Sequence, residues 1–177
     1  MKLLAGRLPR IGLGLVAISV CLAVMLQGRI PRSRSHAQQA QATLKDFADA
    51  LDRYRRIHGR LPGDVNRDGE IDAGETAYVA SHLARAGLIR DGTDLTMTIA
   101  GRPVDLRAIA RRASAVPNAP RGRNLIELWN LPCQVAQELD SRIDDGNLAR
   151  GNLRAAVEAC VVGGMNDPVP VLALPLP

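Results

Sequence analysis

Residues 64–75 constrain this chain more than any other stretch, because they have the length and spacing of a calcium loop. Side-chain oxygens fall at loop positions 1, 3, 5, 9 and 12, and Gly69 takes position 6, where such a loop turns sharply. Position 7 would contribute its backbone carbonyl. The spacing therefore predicts a Ca²⁺ site with these ligand residues: Asp64, Asn66, Asp68, Glu70, Asp72 and Glu75. A polar turn that binds no ion is the alternative interpretation.

The segment before the loop predicts a turn. Residues 59–63 hold two glycines and a proline, which end a helix just before Asp64. From Glu75 to Leu88 apolar residues recur at helical spacing. A complete EF-hand has a helix on both sides of its loop, whereas this pattern predicts a loop followed by one helix. We therefore expect a single structural calcium site and not a sensor that opens on binding.

Composition and charge argue against a nucleic-acid partner. The 177 residues include one Trp, two Tyr and one Phe, so the single modest core must be aliphatic and no platform for stacked bases is available. The net charge of +5 comes from residues 1–34, which hold six basic residues and no acidic one. Basic and acidic residues nearly cancel in the remainder, so the soluble part has no overall attraction to phosphate.

The run 11–28 is uncharged and follows a basic leader at 1–10. As a helix it would span about 27 Å at roughly 1.5 Å per residue, enough for the hydrocarbon core of a bilayer. We predict a transmembrane or assembly helix here. A cleaved secretory signal is the alternative, although the nearest Ala-x-Ala site, at 40–42, lies far beyond the apolar run. Three basic residues on each side of the run leave its orientation open.

The cysteines bear on the compartment. Cys21 lies in the apolar run, which leaves Cys133 and Cys160 in the soluble part. An even pair in a small anchored domain predicts a Cys133–Cys160 disulfide and an oxidising compartment. Two reduced core cysteines in a cytosolic domain are the alternative.

A spine helix is predicted within residues 29–58, after a short linker or kink around Pro31. It begins near Ala37 and should stop at Gly59. Its buried face is defined by apolar residues three and four apart, namely Leu44, Phe47, Ala48, Leu51 and Tyr54. Nearby arginines would form a solvated face or meet acidic neighbours: Arg53, Arg55, Arg56 and Arg60.

The remaining elements predict an α+β chain, with a small head over residues 59–165. Pro132 suits the first turn of a helix that ends near Ile143. Residues 166–177 alternate proline with Val and Leu, which is typical of an extended edge segment or a partner-binding tail. Strands are predicted over residues 94–99, 124–131 and 153–162, while residues 102–112 are ambiguous.

Three segments carry a family resemblance. Tyr54 and the turn at 58–64 match the pattern "Tyr…Gly-x-Leu-Pro-Gly-Asp", and residues 81–89 match "His-Leu…Ala-Gly-Leu-Ile". Residues 139–146 match "Leu-Asp-x-Lys-Ile-Asp-Asp-Gly" with arginine in place of lysine. In this order, over roughly residues 37–160, they resemble the type IV pilin-like proteins, which include minor pilins and type II secretion pseudopilins.

The resemblance implies a long N-terminal helix, membrane anchor plus spine, packed on a small head with a short antiparallel sheet and one or two further helices. It implies a structural subunit of a type IV pilus or type II secretion apparatus. The N-terminal helix would contact the membrane and other pilin-like subunits. The protein would sit in the bacterial inner membrane as a single-pass protein with a periplasmic head, and extraction into a filament is an open alternative.

The N-terminus departs from the family pattern. Pilins are cut after a glycine and carry a glutamate as the fifth mature residue. The processing candidates here are Gly12 and Gly14, which would place Ala17 or Ser19 at that position. Because the glutamate normally pairs with a neighbouring subunit's amine, its absence favours a minor tip subunit or an uncleaved relative over a shaft subunit.

No catalytic constellation stands out, so we expect no enzyme activity. His82 and Ser81 are adjacent and do not form a nucleophile–base pair, so His82 is expected to pack or cap a helix. Asp144 and Asp145 beside Gly146 predict a turn, with donation to a second metal as the alternative. A membrane-anchored calcium-binding periplasmic protein that does not assemble is the alternative function, and an anchored hydrolase has little support.

Overall fold

A computed structural model describes residues 11–90, 95–116, 118–155 and 168–176, with side chains described for 32–90, 95–116, 118–155 and 175–176. Within these limits the chain is α+β, as predicted. Three helices are assigned, α1 (Ile11–His58), α2 (Thr76–Arg85) and α3 (Cys133–Ile143), with a 3₁₀ turn at Arg111–Ala113. The strands are β1 (Thr96–Ile99), β2 (Arg102–Ala110), β3 (Asn124–Pro132), β4 (Arg154–Ala155) and β5 (Pro168–Pro175).

The strands form one antiparallel sheet in the order β1-β2-β3-β5-β4. Residues 102–110, ambiguous in sequence, become β2 because their alternate side chains are buried against the helices. The proline-rich segment forms β5 and lies between β3 and β4, so it is neither an edge strand along its whole length nor a free tail.

Strand β5 contains prolines at positions 168, 170 and 175. The N–H of Leu176 donates to the carbonyl of Asn124 in β3, so by the alternation of a strand the N–H groups that Pro168 and Pro170 lack would also face β3. The ladder with β3 nevertheless continues to Pro168, which pairs with Pro132, and it therefore has fewer donors at this end. The short strand β4 pairs only with Leu172 and Ala173.

Helix α1 supplies one wall of the core. The predicted buried face is confirmed, since four of its members are at most 5% exposed: Leu44, Phe47, Leu51 and Tyr54. They pack with Val79 and Leu83 of α2 and with the inner face of the sheet, in one apolar cluster. The helix ends at His58, and Gly59 follows with a positive φ of 69°, as the sequence predicts.

Residues 32–36 are helical, although a linker was one interpretation of this stretch. Ala37 and Ala40, one turn farther on, are fully buried. In addition, Arg34 lies 3.9 Å from Glu138 of α3. Tertiary packing against α3 therefore explains why these residues continue the spine helix.

Several predictions fall outside the described residues: the leader 1–10, the side chains of the apolar run 11–28 with Gly12 and Gly14, and Cys160. Among the residues with described side chains, no helix is long and apolar enough to cross a membrane. Cys133 is buried at the start of α3. Because Cys160 is not described, the Cys133–Cys160 disulfide stays a prediction. The predicted final strand is described only at Arg154–Ala155.

Candidate metal centre

The loop 64–75 connects the turn after α1 to the start of α2. Its first residue, Asp64, is 2% exposed. Oδ2 of Asp64 accepts a hydrogen bond from the backbone N–H of Gly69 at 3.1 Å, across the loop. Oδ1 is buried and has no hydrogen-bond partner among the described residues. A buried carboxylate oxygen without a partner is costly, and a bound cation is one way to satisfy it.

Side-chain oxygens wind the loop into a compact turn. Oδ1 of Asn66 accepts the N–H of Asp68 at 3.0 Å, and Oδ1 of Asp68 accepts the N–H of Glu70 at 2.8 Å. Gly69 has a φ of 82°, a left-handed conformation that favours glycine. The backbone at loop position 6 therefore adopts the conformation for which a calcium loop needs glycine.

Glu75 closes the loop from its last position. Its Oε1 accepts the N–H groups of Val65 and Asn66 at 2.9 and 3.2 Å, and its Oε2 accepts the N–H of Asp72 at 3.0 Å. The carboxylate thus ties the beginning of the loop to its end. Both oxygens predicted to coordinate calcium are engaged with backbone amides in this structure.

Two arginines from the sheet side neutralise the loop acids. The guanidinium of Arg112 lies 2.6 Å from Asp72, 3.0 Å from Glu70 and 3.6 Å from Asp68. Arg123 donates to the carbonyl of Asp68 at 3.0 Å and lies 3.6 Å from Glu70. The hydrogen bond to Asp72 and the nearby carboxylates raise the pKa of Arg112.

The loop is docked on the sheet through Asn124, the first residue of β3. The amide of Asn124 donates to the carbonyl of Gly69 and accepts from the N–H of Ile71, both at 2.9 Å. Ala110 of β2 donates to the carbonyl of Ile71 at 2.6 Å, and the Ile71 side chain is fully buried. Position 8 faces the core as predicted.

A polar cavity of about 950 Å³ opens beside the loop. Asp64 and Asp68 line it together with four arginines, namely Arg55, Arg60, Arg67 and Arg123. The cavity therefore borders the residue at loop position 1, although the side chain of Asp64 is itself buried.

The donor set fits a hard cation, but the carboxylates are not gathered around one point. Among the described residues, the loop supplies no three acidic side chains whose oxygens all lie within 4.8 Å of one another. The reason is visible: backbone amides hold Glu75, while Arg112 holds Asp68 and Asp72. All donors are oxygens, as Ca²⁺ prefers, and Oδ1 of Asp64 lacks a partner. Calcium binding at this loop stays a prediction, and the unpartnered Oδ1 of Asp64 is the observation that supports it.

His82 has a structural contact. Its Nδ1 accepts the backbone N–H of Gly63 at 2.9 Å, so it ties the turn before the loop to α2. The rings of Tyr54 and Tyr78 both stack on His82, with centroids 6.1 and 6.3 Å from the imidazole. Burial, followed by the positive charges of Arg60 and Arg85, lowers the pKa of His82. The neutral form that accepts the hydrogen bond is thereby favoured.

No protein-family model, curated protein or solved structure matches this chain. The site is therefore assigned from its own residues. Sequence patterns did not identify Arg112, Arg123 or Asn124, which lie on other elements and have no local signal that relates them to the loop. Only the pairing of β2 with β3 brings these three residues to the loop.

Proposed function

We propose that this protein is a membrane-anchored, pilin-like structural subunit, a minor pilin or pseudopilin, whose head is stabilised by Ca²⁺. The observation that carries the proposal is the placement of α1. Its described part packs an apolar face on the head, and the same helix extends toward the apolar run 11–28. The C-terminal part of this helix belongs to the head, and its N-terminal part is hydrophobic. Such a helix suits a subunit that is anchored in the membrane by its N-terminal segment.

The loop supports the calcium part of the proposal. It connects α1 to α2 and is fixed to the sheet by Asn124, so an ion there would join three parts of the head. Asp64, Asn66, Asp68, Asp72 and Glu75 would hold the ion with their side chains, and Glu70 with its carbonyl. A bound divalent cation would compensate the buried charge of Asp64 and supply rigidity, and the role is structural with no chemical step.

Membrane anchoring and assembly can be tested with the full chain expressed in a bacterium that has a prepilin peptidase and pilin-like subunits. We expect the wild-type chain in the membrane fraction, crosslinked to those subunits. Val20→Arg, in the middle of the apolar run, should abolish both, because an arginine at the bilayer centre is costly. Arg53→Ala, on the exposed face of α1, is the matched control and should change neither.

Two outcomes would overturn the assembly proposal. A chain that is anchored but never crosslinks to another pilin-like subunit would be the non-assembling calcium-binding protein. A mature chain that begins after residue 42 and is released from the membrane would show that the apolar run is a cleaved secretory signal. Mass spectrometry of the mature N-terminus separates these cases.

A further inference from the structure

A second acidic cluster lies at the C-terminal end of α3, away from the loop 64–75. Asp140 sits in the last turns of the helix, and Asp144 and Asp145 follow it. One oxygen from each of the three side chains lies within 4.8 Å of the other two. In the described part of the chain, this is the one set of three acidic, histidine or cysteine side chains gathered so closely.

Asp140 is the unusual member of the cluster. It is fully buried, at 0% exposure, and among the described residues neither of its carboxylate oxygens accepts a hydrogen bond of normal geometry. Buried carboxylates are normally paired or hydrogen-bonded, because removing the charge from water is costly. One of its oxygens instead lies within 4.8 Å of an oxygen of each of two further carboxylates.

The other two members are held in place by the following turn. Oδ2 of Asp144 accepts the N–H groups of Asn152 and Leu153, the latter at 3.1 Å. Gly151 permits this approach, since a Cβ there would lie 2.0 Å from Oδ2 of Asp144. The cluster is therefore preorganised by backbone donors and by a glycine.

Asp145 is the solvent-side member. Its Oδ1 accepts the N–H of Asn147 at 2.9 Å, and its Oδ2 forms an ion pair with Arg150 at 3.0 Å. Three carboxylates face one arginine, which leaves two negative charges uncompensated when all are ionised. Burial, followed by the charges of Asp144 and Asp145, raises the pKa of Asp140 to about 6, while the nearby N–H of Gly146, which is outside normal hydrogen-bond geometry, acts to lower it.

We propose that Asp140, Asp144 and Asp145 form a second cation site, which binds Ca²⁺. All three ligands are hard oxygens, and the cluster includes no thiolate or imidazole that would favour zinc. Ca²⁺ accepts several carboxylate ligands in flexible geometry, whereas Mg²⁺ is usually held by one or two carboxylates and keeps several waters, so three carboxylates favour calcium. A divalent ion would also complete the charge balance left by Arg150.

The site would join the end of α3 to the turn that leads to β4. This role does not depend on the loop 64–75, and the two sites can be tested separately. Equilibrium dialysis of the purified full chain in detergent, with calcium as the probe at neutral pH, gives the number of ions bound. We expect two for the wild type and one each for Asp140→Asn and Asp64→Asn.

Controls decide the interpretation. Asp46→Asn, on the exposed face of α1, should bind as the wild type does. If Asp140→Asn does not fold, Asp145→Asn at the exposed rim should weaken the second site at least tenfold while keeping the fold. Stoichiometry that is unchanged in both variants would overturn the proposal. An Asp140→Asn variant whose melting temperature rises equally in calcium and in chelator would also overturn it, because Asp140 would then be only a buried acid.

Loss of calcium binding in Asp64→Asn with the second ion retained would leave this proposal intact. The reverse result, with the loop ion retained and no second ion in the wild type, would remove this proposal and leave the calcium loop in place. The two claims can therefore fail independently.

Discussion

Three buried carboxylates in the head differ in how their oxygens are satisfied. Glu127 is fully bonded, since it accepts from Ser114 at 2.6 Å, from the N–H of Ala115 at 3.3 Å and from Trp129 at 3.1 Å. Within the described residues, Asp64 has one oxygen bonded and one without a partner, and neither oxygen of Asp140 accepts a hydrogen bond of normal geometry. The unsatisfied oxygens mark the two places where an ion would contribute most to stability.

The first prediction at the residue scale concerns Asp64. In the wild type, calcium at about 100 times its Kd should stabilise the head by about 2.7 kcal/mol for one site, a rise of roughly 5–10 °C in melting temperature. Asp64→Asn should lose this increment at the loop, because a neutral amide attracts the ion far less than a carboxylate. Thermal melts in calcium and in chelator measure the difference.

Glu75→Ala also tests calcium binding at the loop, but it changes the stability of the ion-free loop as well. Glu75 accepts three backbone N–H groups, so its loss should lower the melting temperature in chelator as well. Equal calcium-induced shifts in wild type and Asp64→Asn would contradict the loop site.

The second prediction concerns pH and His82. Its pKa is lowered from 6.5 in the folded chain, so below pH 6.5 the unfolded chain binds more protons than the folded one. The contribution of His82 to the free energy of unfolding should therefore be fully present above pH 6.5. It should decline as the pH falls toward the pKa of His82 in the folded chain. His82→Ala should remove that dependence and lose about 1 kcal/mol at neutral pH, through the bond to Gly63.

Ionisation of Asp140 has the opposite effect on stability over the lower part of this pH range. Its raised folded pKa makes its contribution to stability decline as the pH rises from about 4 to about 6. The His82 effect is therefore measured as the difference between wild type and His82→Ala in urea titrations at several pH values. A difference that does not change between pH 5 and pH 7 would show that His82 is not held neutral by the fold.

At the scale of elements, the loop is a unit held from several sides. Glu75 closes it on itself, Asn124 fixes it to β3, and Arg112 compensates its acids from the 3₁₀ turn after β2. The same contacts that order the loop also keep its carboxylates apart. Arg112 therefore has two effects of opposite sign: it stabilises the loop without an ion and competes with an ion for the same oxygens.

The third prediction follows from that competition. Arg112→Ala should raise the calcium affinity of the loop by about three- to tenfold, because a positive charge close to the ligand oxygens is removed. In chelator the variant should melt at or slightly below the wild-type temperature. Arg121→Ala removes an exposed arginine that, among the described residues, forms no ion pair with the loop, and it serves as the charge-matched control in the same calcium titration. A weaker calcium affinity in Arg112→Ala would contradict the proposed competition.

At the scale of the whole molecule, α1 holds the head together. It packs against α3, β1 and α2, and Gln39 donates to the carbonyl of Thr98 in β1 at 3.2 Å. Both candidate cation sites lie at ends of helices that take part in this packing, at the entry to α2 and at the end of α3. The ions would therefore fix the connections between elements and not the core itself.

The fourth prediction tests the spine. Leu51→Ala in α1 should lower the free energy of unfolding by about 2–5 kcal/mol, because Leu51 is fully buried and its truncation leaves a cavity. Urea unfolding followed by Trp129 fluorescence measures the change. Arg53→Ala, on the exposed face of the same helix, should change stability little. Equal effects of the two substitutions would show that α1 does not pack on the head.

Local patterns predicted much of the fold. The buried face of α1 follows from apolar residues three and four apart, and its end at His58 from Gly59. The loop turns at Gly69 and buries Ile71, as its spacing predicts. The position of β5 was not predicted, since a proline-rich run looks unsuited to the inside of a sheet until its pairing partners are known. The helical state of residues 32–36 depends on packing against α3 and was likewise not predicted.

The sequence by itself determined the class of the chain, the buried face of the spine helix and the candidate ligands of the loop. These depend on the period of a helix or strand and on spacing within a dozen residues, which are local properties of the chain. Only the tertiary structure decided that Arg112, Arg123 and Asn124 contact the loop, and that Asp140 is buried and accepts no hydrogen bond of normal geometry among the described residues. Burial and charge compensation depend on which distant elements pack together, and local spacing does not specify that packing.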